Sequence, residues 1–161
     1  MFYSPQRWTE NERKLNVTTK NRRQARTLAL QALYELDCTK HPLADVMAAR
    51  LEAEPLAEDL LTFAYQLVNG VLRHKDRLDV VIQQYAPEWP LNQMAIVDRN
   101  ILRISIFEFA ILKQTPIKVA INEAIELAKD FGSDSASRFI NGVLGTLASH
   151  EEELRTALEK E

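Results

Sequence analysis

Residues 92–112, NQMAIVDRNILRISIFEFAIL, are apolar on almost every side of the helix that their spacing predicts. A helix of this kind lies inside a protein rather than at its surface, so we expect it to be the central element of the fold. Glu108 stands in its most apolar part, and a buried carboxylate needs a positive partner. We expect an ion pair between Glu108 and an arginine, with Arg103 as the candidate.

Helical spacing extends along most of the chain on both sides of that segment. The chain has only four glycines and no Asn-Gly turn between alternating strands, so an all-α fold is predicted. Caps and prolines bound the individual helices. The first three predicted helices run from about Thr19 to Leu36, between Pro42 and Pro55, and from there to about Arg73. A fourth, separate from the third or continuous with it, carries Leu78 to Tyr85. The others run over 92–112, from Pro116 to Gly132, and from about Ser133 to Ser149.

Two prolines divide this helical chain. Pro87 and Pro90 have no backbone N–H to donate, so a helix cannot continue through them. We therefore expect residues 87–91 to be a boundary between two subdomains that pack together. The predicted organisation is a flexible arm over 1–18, one helical domain over 19–149, and an acidic tail over 150–161. The domain consists of an N-terminal part over 19–86, a linker over 87–91 and a C-terminal part over 92–149.

Composition places the chain among ordinary globular domains. Its 161 residues are 46% hydrophobic and 27% charged, which is enough to bury a core. No apolar run approaches the roughly 18 residues of a membrane span, and the first residues lack the apolar stretch of a secretory signal. The lone Cys38 has no partner for an internal disulfide. We therefore expect a cytoplasmic protein.

Residue types that carry catalysis do not form a recognisable constellation. His41, His74 and His150 stand far apart in the sequence, and Cys38 has no paired cysteine, so no metal-ligand spacing is present. There is no phosphate-binding loop and no dinucleotide fingerprint. We expect no metal, no cofactor and no enzymatic activity.

Two further patterns have simple structural interpretations. Gly142 and Gly145 lie within helical spacing, which favours close helix packing over an RNA-clamping loop. Glu123 and Glu126 lie on one helix beside lysines, which is typical of a solvated face with local charge pairs. We expect neither pair to perform chemistry.

A short basic run stands out in a chain whose formal net charge is −3. Residues 20–26 carry four positive charges, on Lys20, Arg22, Arg23 and Arg26, and no negative one. At the predicted start of a helix these cations meet the positive end of the helix dipole, so an anion is expected to compensate them. Arg22 and Arg26 fall within about 40° of each other on the helix, which predicts one exposed patch.

Leu30 and Tyr34 continue along the flank of that patch. They stand off the main apolar stripe of the predicted first helix. Two interpretations remain open, a wide core face with a solvated basic end, or a surface for a protein partner beside a surface for phosphates.

Longer strings resemble a known family. Residues 119–129 (VAINEAIELAK), 131–132 (FG) and 138–144 (RFINGVL) resemble the signature of the NusB family of bacterial transcription antitermination factors. Residues 22–26 (RRQAR), 32–34 (ALY) and 101–103 (ILR), followed by Glu108, support the match. The resemblance covers about residues 20–149, and neither the arm nor the tail belongs to it.

That resemblance implies a fold and a function. It implies an all-α fold with about seven helices. These helices form two small packed bundles, one over residues 19–86 and the other over residues 92–149. It also implies a binding protein, not an enzyme, that binds the boxA element of single-stranded RNA during rRNA transcription. The implied partners are NusE, a ribosomal small-subunit protein, and a transcription elongation complex with other Nus factors.

The resemblance also implies roles for single residues. With the basic run, the candidate RNA-binding residues are Lys20, Arg22, Arg23, Arg26, Tyr85, Phe131, Arg138 and Phe139. Tyr34 and Asp98 match positions at the NusE interface, and Leu30 joins them from the flank described above. Gln24 stands where some members have an arginine, and Ser135 replaces an acidic residue.

Two alternatives to this function remain open. One is a NusB-like domain that serves another RNA-processing partner, such as an RNA methyltransferase on a separate chain. The other is a helical module that self-associates through Leu30 and Tyr34, so that the protein could be a monomer or a homodimer.

Overall fold

The computed structural model describes residues 9–159, with the backbone alone over residues 12–20. Within this part of the chain every regular element is helical, which confirms the all-α fold. The seven α-helices are α1 (Glu10–Cys38), α2 (Leu43–Ala53), α3 (Glu58–Tyr85), α4 (Ile96–Ile106), α5 (Ile117–Phe131), α6 (Ala136–Ala148) and α7 (Glu151–Glu159). A 3-10 turn over Leu91–Gln93 precedes α4, and a π-helical segment over Phe107–Leu112 follows it. None of the described helices has the length and apolarity that a membrane span requires.

The central helix is where the sequence predicts it. Side chains of α4 such as Ile101, Leu102 and Ile106 are fully buried, and both α1 and α3 pack against this helix. The predicted helix is not uniform, however, because its last part is a π-helix that ends where Lys113 adopts a left-handed conformation (φ 58°). Residues 107–110 of this segment are all buried, as are residues 100–106 of α4 before them.

Close contact also fixes how α3 passes this segment. A Cβ atom at Gly70 would lie 2.0 Å from the ring of Phe107, so only glycine lets the two elements approach. The expectation for Gly142 and Gly145 is wrong, because a Cβ at either position would meet nothing within 4 Å. Both glycines lie on an exposed side of α6.

The first helix begins earlier than predicted. It starts at Glu10 rather than near Thr19, so residues 10–18, which the sequence analysis assigns to a flexible arm, continue the helix. Arg22 and Arg26 therefore lie about three to four turns from its start. The helix dipole acts only within the first turn, so the predicted conflict between these arginines and the dipole is wrong. Residues 1–8 lie outside the described residues.

Arg26 pairs with the glutamate of the central helix. Its guanidinium donates to both carboxylate oxygens of Glu108, at 2.8–3.1 Å, and Thr115 Oγ1 donates to the same carboxylate at 3.0 Å. Arg26 is 2% exposed and Glu108 1%. The prediction that Glu108 pairs with an arginine is confirmed, but the partner is Arg26 on α1 and not Arg103.

A second carboxylate joins this pair. Glu123 on α5 accepts two hydrogen bonds from Arg23 at 2.9 Å and lies 3.7 Å from Arg26 Nη1. Glu123 is buried, so the prediction of a solvated face is wrong for it, whereas Glu126 forms the predicted local pair with Lys129. We call Arg23, Arg26, Glu108, Thr115 and Glu123 the Arg26 cluster. It ties α1 to the π-helical segment and to α5.

Arg103 belongs to a separate network near the end of α1. It donates to Asp79 on α3 at 2.7 and 3.0 Å and to Asp37 on α1 at 3.0 Å. Asn100 donates to Asp37 at 2.9 Å, and Lys75 donates to it at 3.3 Å. We call Asp37, Lys75, Asp79, Asn100 and Arg103 the Asp37 cluster. It fastens α1, α3 and α4 to one another.

The acidic tail is a helix. Leu154 and Leu158, four residues apart on α7, are buried, and α7 packs against the π-helical segment. Arg77 donates to the carbonyl of Ala157 at 3.0 Å, and Lys113 pairs with Glu159. The acidic tail predicted over 150–161 is therefore a packed helix as far as Glu159.

The Arg26 cluster predicts a stability experiment. Arg26→Met should lower the free energy of unfolding by about 3–5 kcal/mol, because it leaves Glu108 buried without its counter-ion. The double variant Arg26→Met with Glu108→Leu should recover a large part of this loss, since it removes both charges. Urea denaturation at neutral pH measures the difference. Glu126→Gln, which breaks an exposed pair, is the control and should change little. A loss below 1 kcal/mol for Arg26→Met alone would contradict the assignment.

The Asp37 cluster predicts a pH dependence. Burial alone would raise the pKa of Asp37, but the hydrogen bond from Asn100 and the charges of Arg103, Lys75 and Arg99 hold that pKa below its ordinary 3.8. Its ionised form therefore stabilises the fold above pH 3.8, and this stabilisation is lost as the pH falls through the lower folded-state pKa. Asp37→Asn should cost about 2 kcal/mol at neutral pH.

The same variant should approach the parent in acid. Denaturation curves of both proteins over a pH series test this. A difference between them that stays constant from neutral pH to well below pH 3.8 would show that Asp37 does not contribute through its charge.

Candidate nucleic-acid interface

A cleft of about 690 Å³ opens where the end of α3, the linker before α4, the start of α4 and one side of α6 meet. Four residues that the resemblance singles out line it, although they are distant in the sequence: Tyr85, Asp98, Arg138 and Phe139. The volume is within the range of ordinary small-ligand sites. The structure thus brings three candidate RNA-binding residues and one candidate NusE residue into one place.

Aromatic rings form much of the cleft wall. Phe139 is half-buried and meets Trp89 edge to face, with ring centroids 5.9 Å apart and planes at 75°. Tyr85, on the last turn of α3, packs its ring against His150 at 5.2 Å. Rings that are partly open to solvent in a concave site can stack with planar groups of a ligand.

The charges of the cleft are mixed. Arg138 is exposed in the first turn of α6, a helix that begins without a side-chain cap hydrogen bond. Glu88 is exposed on the linker, and Asp98 is half-buried, with an Oδ1 atom that is buried and has no hydrogen-bond partner. Burial raises the pKa of the Asp98 carboxyl above its ordinary value. The cleft therefore offers one exposed cation, and it is not a uniformly basic channel.

The basic run does not form the predicted exposed patch. Arg26 is buried in the Arg26 cluster, because its position on α1 faces the π-helical segment, so the prediction that it belongs to an exposed patch is wrong. The side chain of Arg23 is 39% exposed but hydrogen-bonded to Glu123, and that bond raises the pKa of Arg23. The guanidinium of Arg22 lies over the ring of Phe63 at 4.9 Å. The side chain of Lys20 is outside the described residues.

Other predicted residues lie apart from the cleft. Leu30 is only 2% exposed, so the prediction of a partner surface there is wrong and it belongs to the core. Tyr34 on α1 is 43% exposed and Phe131 at the end of α5 is 38% exposed, and neither lines the cleft. Of the two residues assigned to NusE by resemblance, Asp98 lines the cleft and Tyr34 does not.

Sequence reasoning missed one residue of the cleft. Trp89 is 56% exposed and lies on the linker between α3 and α4. A signal was present, since the string Pro87-Glu88-Trp89-Pro90 sets a large aromatic residue between two prolines where no helix continues. The two prolines by themselves indicate only a boundary between helices.

Comparison with protein families gives a match over most of the chain. The family model described as "NusB family" matches residues 23–149. Among curated proteins, a transcription antitermination protein NusB of Dehalococcoides mccartyi is 48% identical over 130 residues, which cover 81% of this chain and 91% of that protein. The NusB protein of Roseiflexus castenholzii is 50% identical over 134 residues, which cover 82% of this chain and 94% of that protein.

Solved structures agree on the fold. A NusB structure from T. maritima superposes with a TM-score of 0.75 at 29% identity, covering 86% of this chain and 96% of that one. A chain from a complex of the antitermination factors NusB and NusE with double-stranded RNA superposes with a TM-score of 0.74 at 24% identity, covering 81% and 98%. At that identity the second likeness concerns the fold alone.

Proposed function

The chain belongs to the NusB family, and from this membership we propose that it is a bacterial transcription antitermination factor that binds boxA-type single-stranded RNA together with NusE. It is a binding protein and not an enzyme. The observation that carries the RNA proposal is the cleft, which gathers Tyr85, Arg138 and Phe139 from α3 and α6.

The chemistry of the cleft suits single-stranded RNA. Unpaired bases expose flat faces that stack on aromatic rings, each stack contributing ~1–3 kcal/mol, while phosphates meet guanidinium groups. Tyr85 and Phe139 supply rings, and Arg138 supplies a cation beside the start of α6, where backbone N–H groups also favour an anion. A duplex offers no free base faces, so this cleft favours unpaired RNA over a helix.

Arg22 and Arg23 take a secondary part in the proposal. Both are half-exposed on the same helix, and neither is as free as the exposed patch that the sequence predicts. We assign them to contacts with the RNA backbone beyond the cleft. Arg26 is excluded from this role because it is buried.

NusE is the proposed protein partner, in a cytoplasmic elongation complex with other Nus factors that acts in rRNA transcription. Tyr34 supports a protein contact because it is a large aromatic side chain left 43% exposed on α1. The alternative function is self-association through Leu30 and Tyr34. Leu30 is buried, so only Tyr34 of this pair is available at the surface.

A salt titration tests the RNA site. Arg138→Ala should weaken the binding of labelled boxA RNA and lower the salt dependence of binding by about one counterion, because one phosphate contact is lost. Arg50→Ala on α2 removes the same charge away from the cleft and is the matched control. Fluorescence anisotropy at several salt concentrations measures both quantities, with scrambled RNA alongside. Equal slopes for the parent and both variants would reject the placement.

A pair of tyrosine variants tests the partner surface. Tyr34→Asp should weaken the binding of NusE at least tenfold, since it puts a charge into an apolar contact. Tyr65→Asp on α3 makes the same change at a ring that is 36% exposed, and it should leave NusE binding unchanged. Calorimetric titration with purified NusE gives both affinities. If Tyr34→Asp binds as well as Tyr65→Asp, the partner docks elsewhere.

A further inference from the structure

We propose that Trp89 is the stacking platform for one nucleobase of the bound RNA and that Gln83 positions this platform. The inference rests on the proposed function, because it states how the cleft takes a base. Neither residue belongs to the set that the resemblance points to.

Trp89 is open to a ligand. It is 56% exposed, although a tryptophan buries a large apolar area when the fold allows it. Its ring meets Phe139 edge to face at 5.9 Å, an arrangement that covers little of the π surface of the pair. A flat group that entered the cleft would find a ring face of at least one of the two residues uncovered.

The backbone under this ring is fixed although the ring is not buried. Gln83 on α3 donates from Nε2 to the carbonyls of Ala86, at 3.2 Å, and Trp89, at 3.1 Å, and its Oε1 accepts from the N–H of Leu91 at 2.9 Å. The N–H of Trp89 donates to the carbonyl of Ala86 at 3.1 Å. One amide side chain thus satisfies three backbone groups of the linker.

Prolines restrict the same segment further. Pro87 and Pro90 fix φ on either side of the Glu88-Trp89 pair. An exposed ring on a restrained backbone loses less conformational freedom when a ligand stacks on it, so more of the stacking energy is retained as affinity. An exposed ring on a restrained backbone is expected of a recognition residue. Core packing does not require it.

The charges select a base rather than a phosphate for this position. Glu88 and Asp98 line the cleft with Trp89, so a phosphate inside it would meet carboxylates. A neutral planar base avoids that repulsion, while its phosphate can bind the exposed Arg138 on the α6 side of the cleft. The occupant that fits is therefore one unpaired nucleobase with its backbone along the α6 side.

Intrinsic fluorescence tests the stacking. The chain has two tryptophans, so Trp8→Phe leaves Trp89 as the sole tryptophan, and excitation selective for tryptophan reports on it alone. Titration with boxA RNA should quench this emission, and the quenching should saturate at the RNA concentration at which anisotropy of labelled RNA reports full binding. Trp89→Leu should weaken binding on the order of tenfold or more, whereas Trp89→Phe, which keeps an aromatic face, should stay within about threefold of the parent.

Gln83 needs a readout of its own. Gln83→Ala in the Trp8→Phe background should lower the emission anisotropy of Trp89 in the free protein and weaken RNA binding less than Trp89→Leu does. Gln83→Glu keeps an acceptor for the N–H of Leu91 but loses both donations. Its affinity for RNA should lie between that of Gln83→Ala and that of Trp89→Leu. Circular dichroism and thermal unfolding of every variant should show that the fold is retained, since Trp89 is exposed and Gln83 only half-buried.

The outcomes separate this inference from the proposed function. If the parent binds boxA RNA better than scrambled RNA but Trp89→Leu binds equally well without quenching, the platform is wrong and the function stands. If NusE alone quenches Trp89 and RNA does not, the cleft is a protein site and the inference is overturned. If the parent shows no preference for boxA RNA, the proposed function fails as well.

Discussion

The buried pair of Arg26 and Glu108 is the constraint on which the rest of the molecule depends. Its two residues are 82 positions apart, and each is almost fully buried, so neither charge can be left alone when the other is displaced. Glu123 and Arg23 extend the pair to α5. Through this cluster the first helix is fixed against the π-helical end of the central helix, and the N-terminal and C-terminal parts of the chain become one body. The cleft requires this, because its walls come from both parts.

A second charged cluster fixes the other end of the same contact. Asp37 lies 11 positions after Arg26 on α1, about 16 Å along the helix axis. It accepts hydrogen bonds from residues of α3 and α4, including Arg103. Buried ion pairs contribute little net stability compared with apolar packing, but they penalise any shift in register that separates the partners. Two such clusters along α1 leave one alignment of α1 against α4, and with it one geometry for the linker and its tryptophan.

Sequence patterns predicted the helices better than their charged contacts. Apolar spacing located the central helix, and prolines and glycine located the bounds of α2 and α5, because those signals are local. The partner of Glu108 is not local, but a signal was available: Arg26 shares a helix face with Ala29, Leu30 and Leu33, and a cation on a core face requires a buried carboxylate. Glu123, on the same face as Ala120 and Leu127, could have been placed in the core for the same reason. The resemblance identified Tyr85, Arg138 and Phe139, yet only the fold could show that they meet Trp89 in one cleft.

The most direct test of this account follows the arginine side chains themselves by NMR. In protein labelled with 15N at the arginine Nε positions, addition of boxA RNA should shift the Arg138 resonance. The Arg26 resonance should stay in place and exchange slowly with solvent, because its N–H groups remain bonded to Glu108. An Arg26 resonance that shifts with RNA as strongly as that of Arg138 would show that the buried pair opens toward the nucleic acid, and the division between a structural arginine and a binding cleft would be wrong.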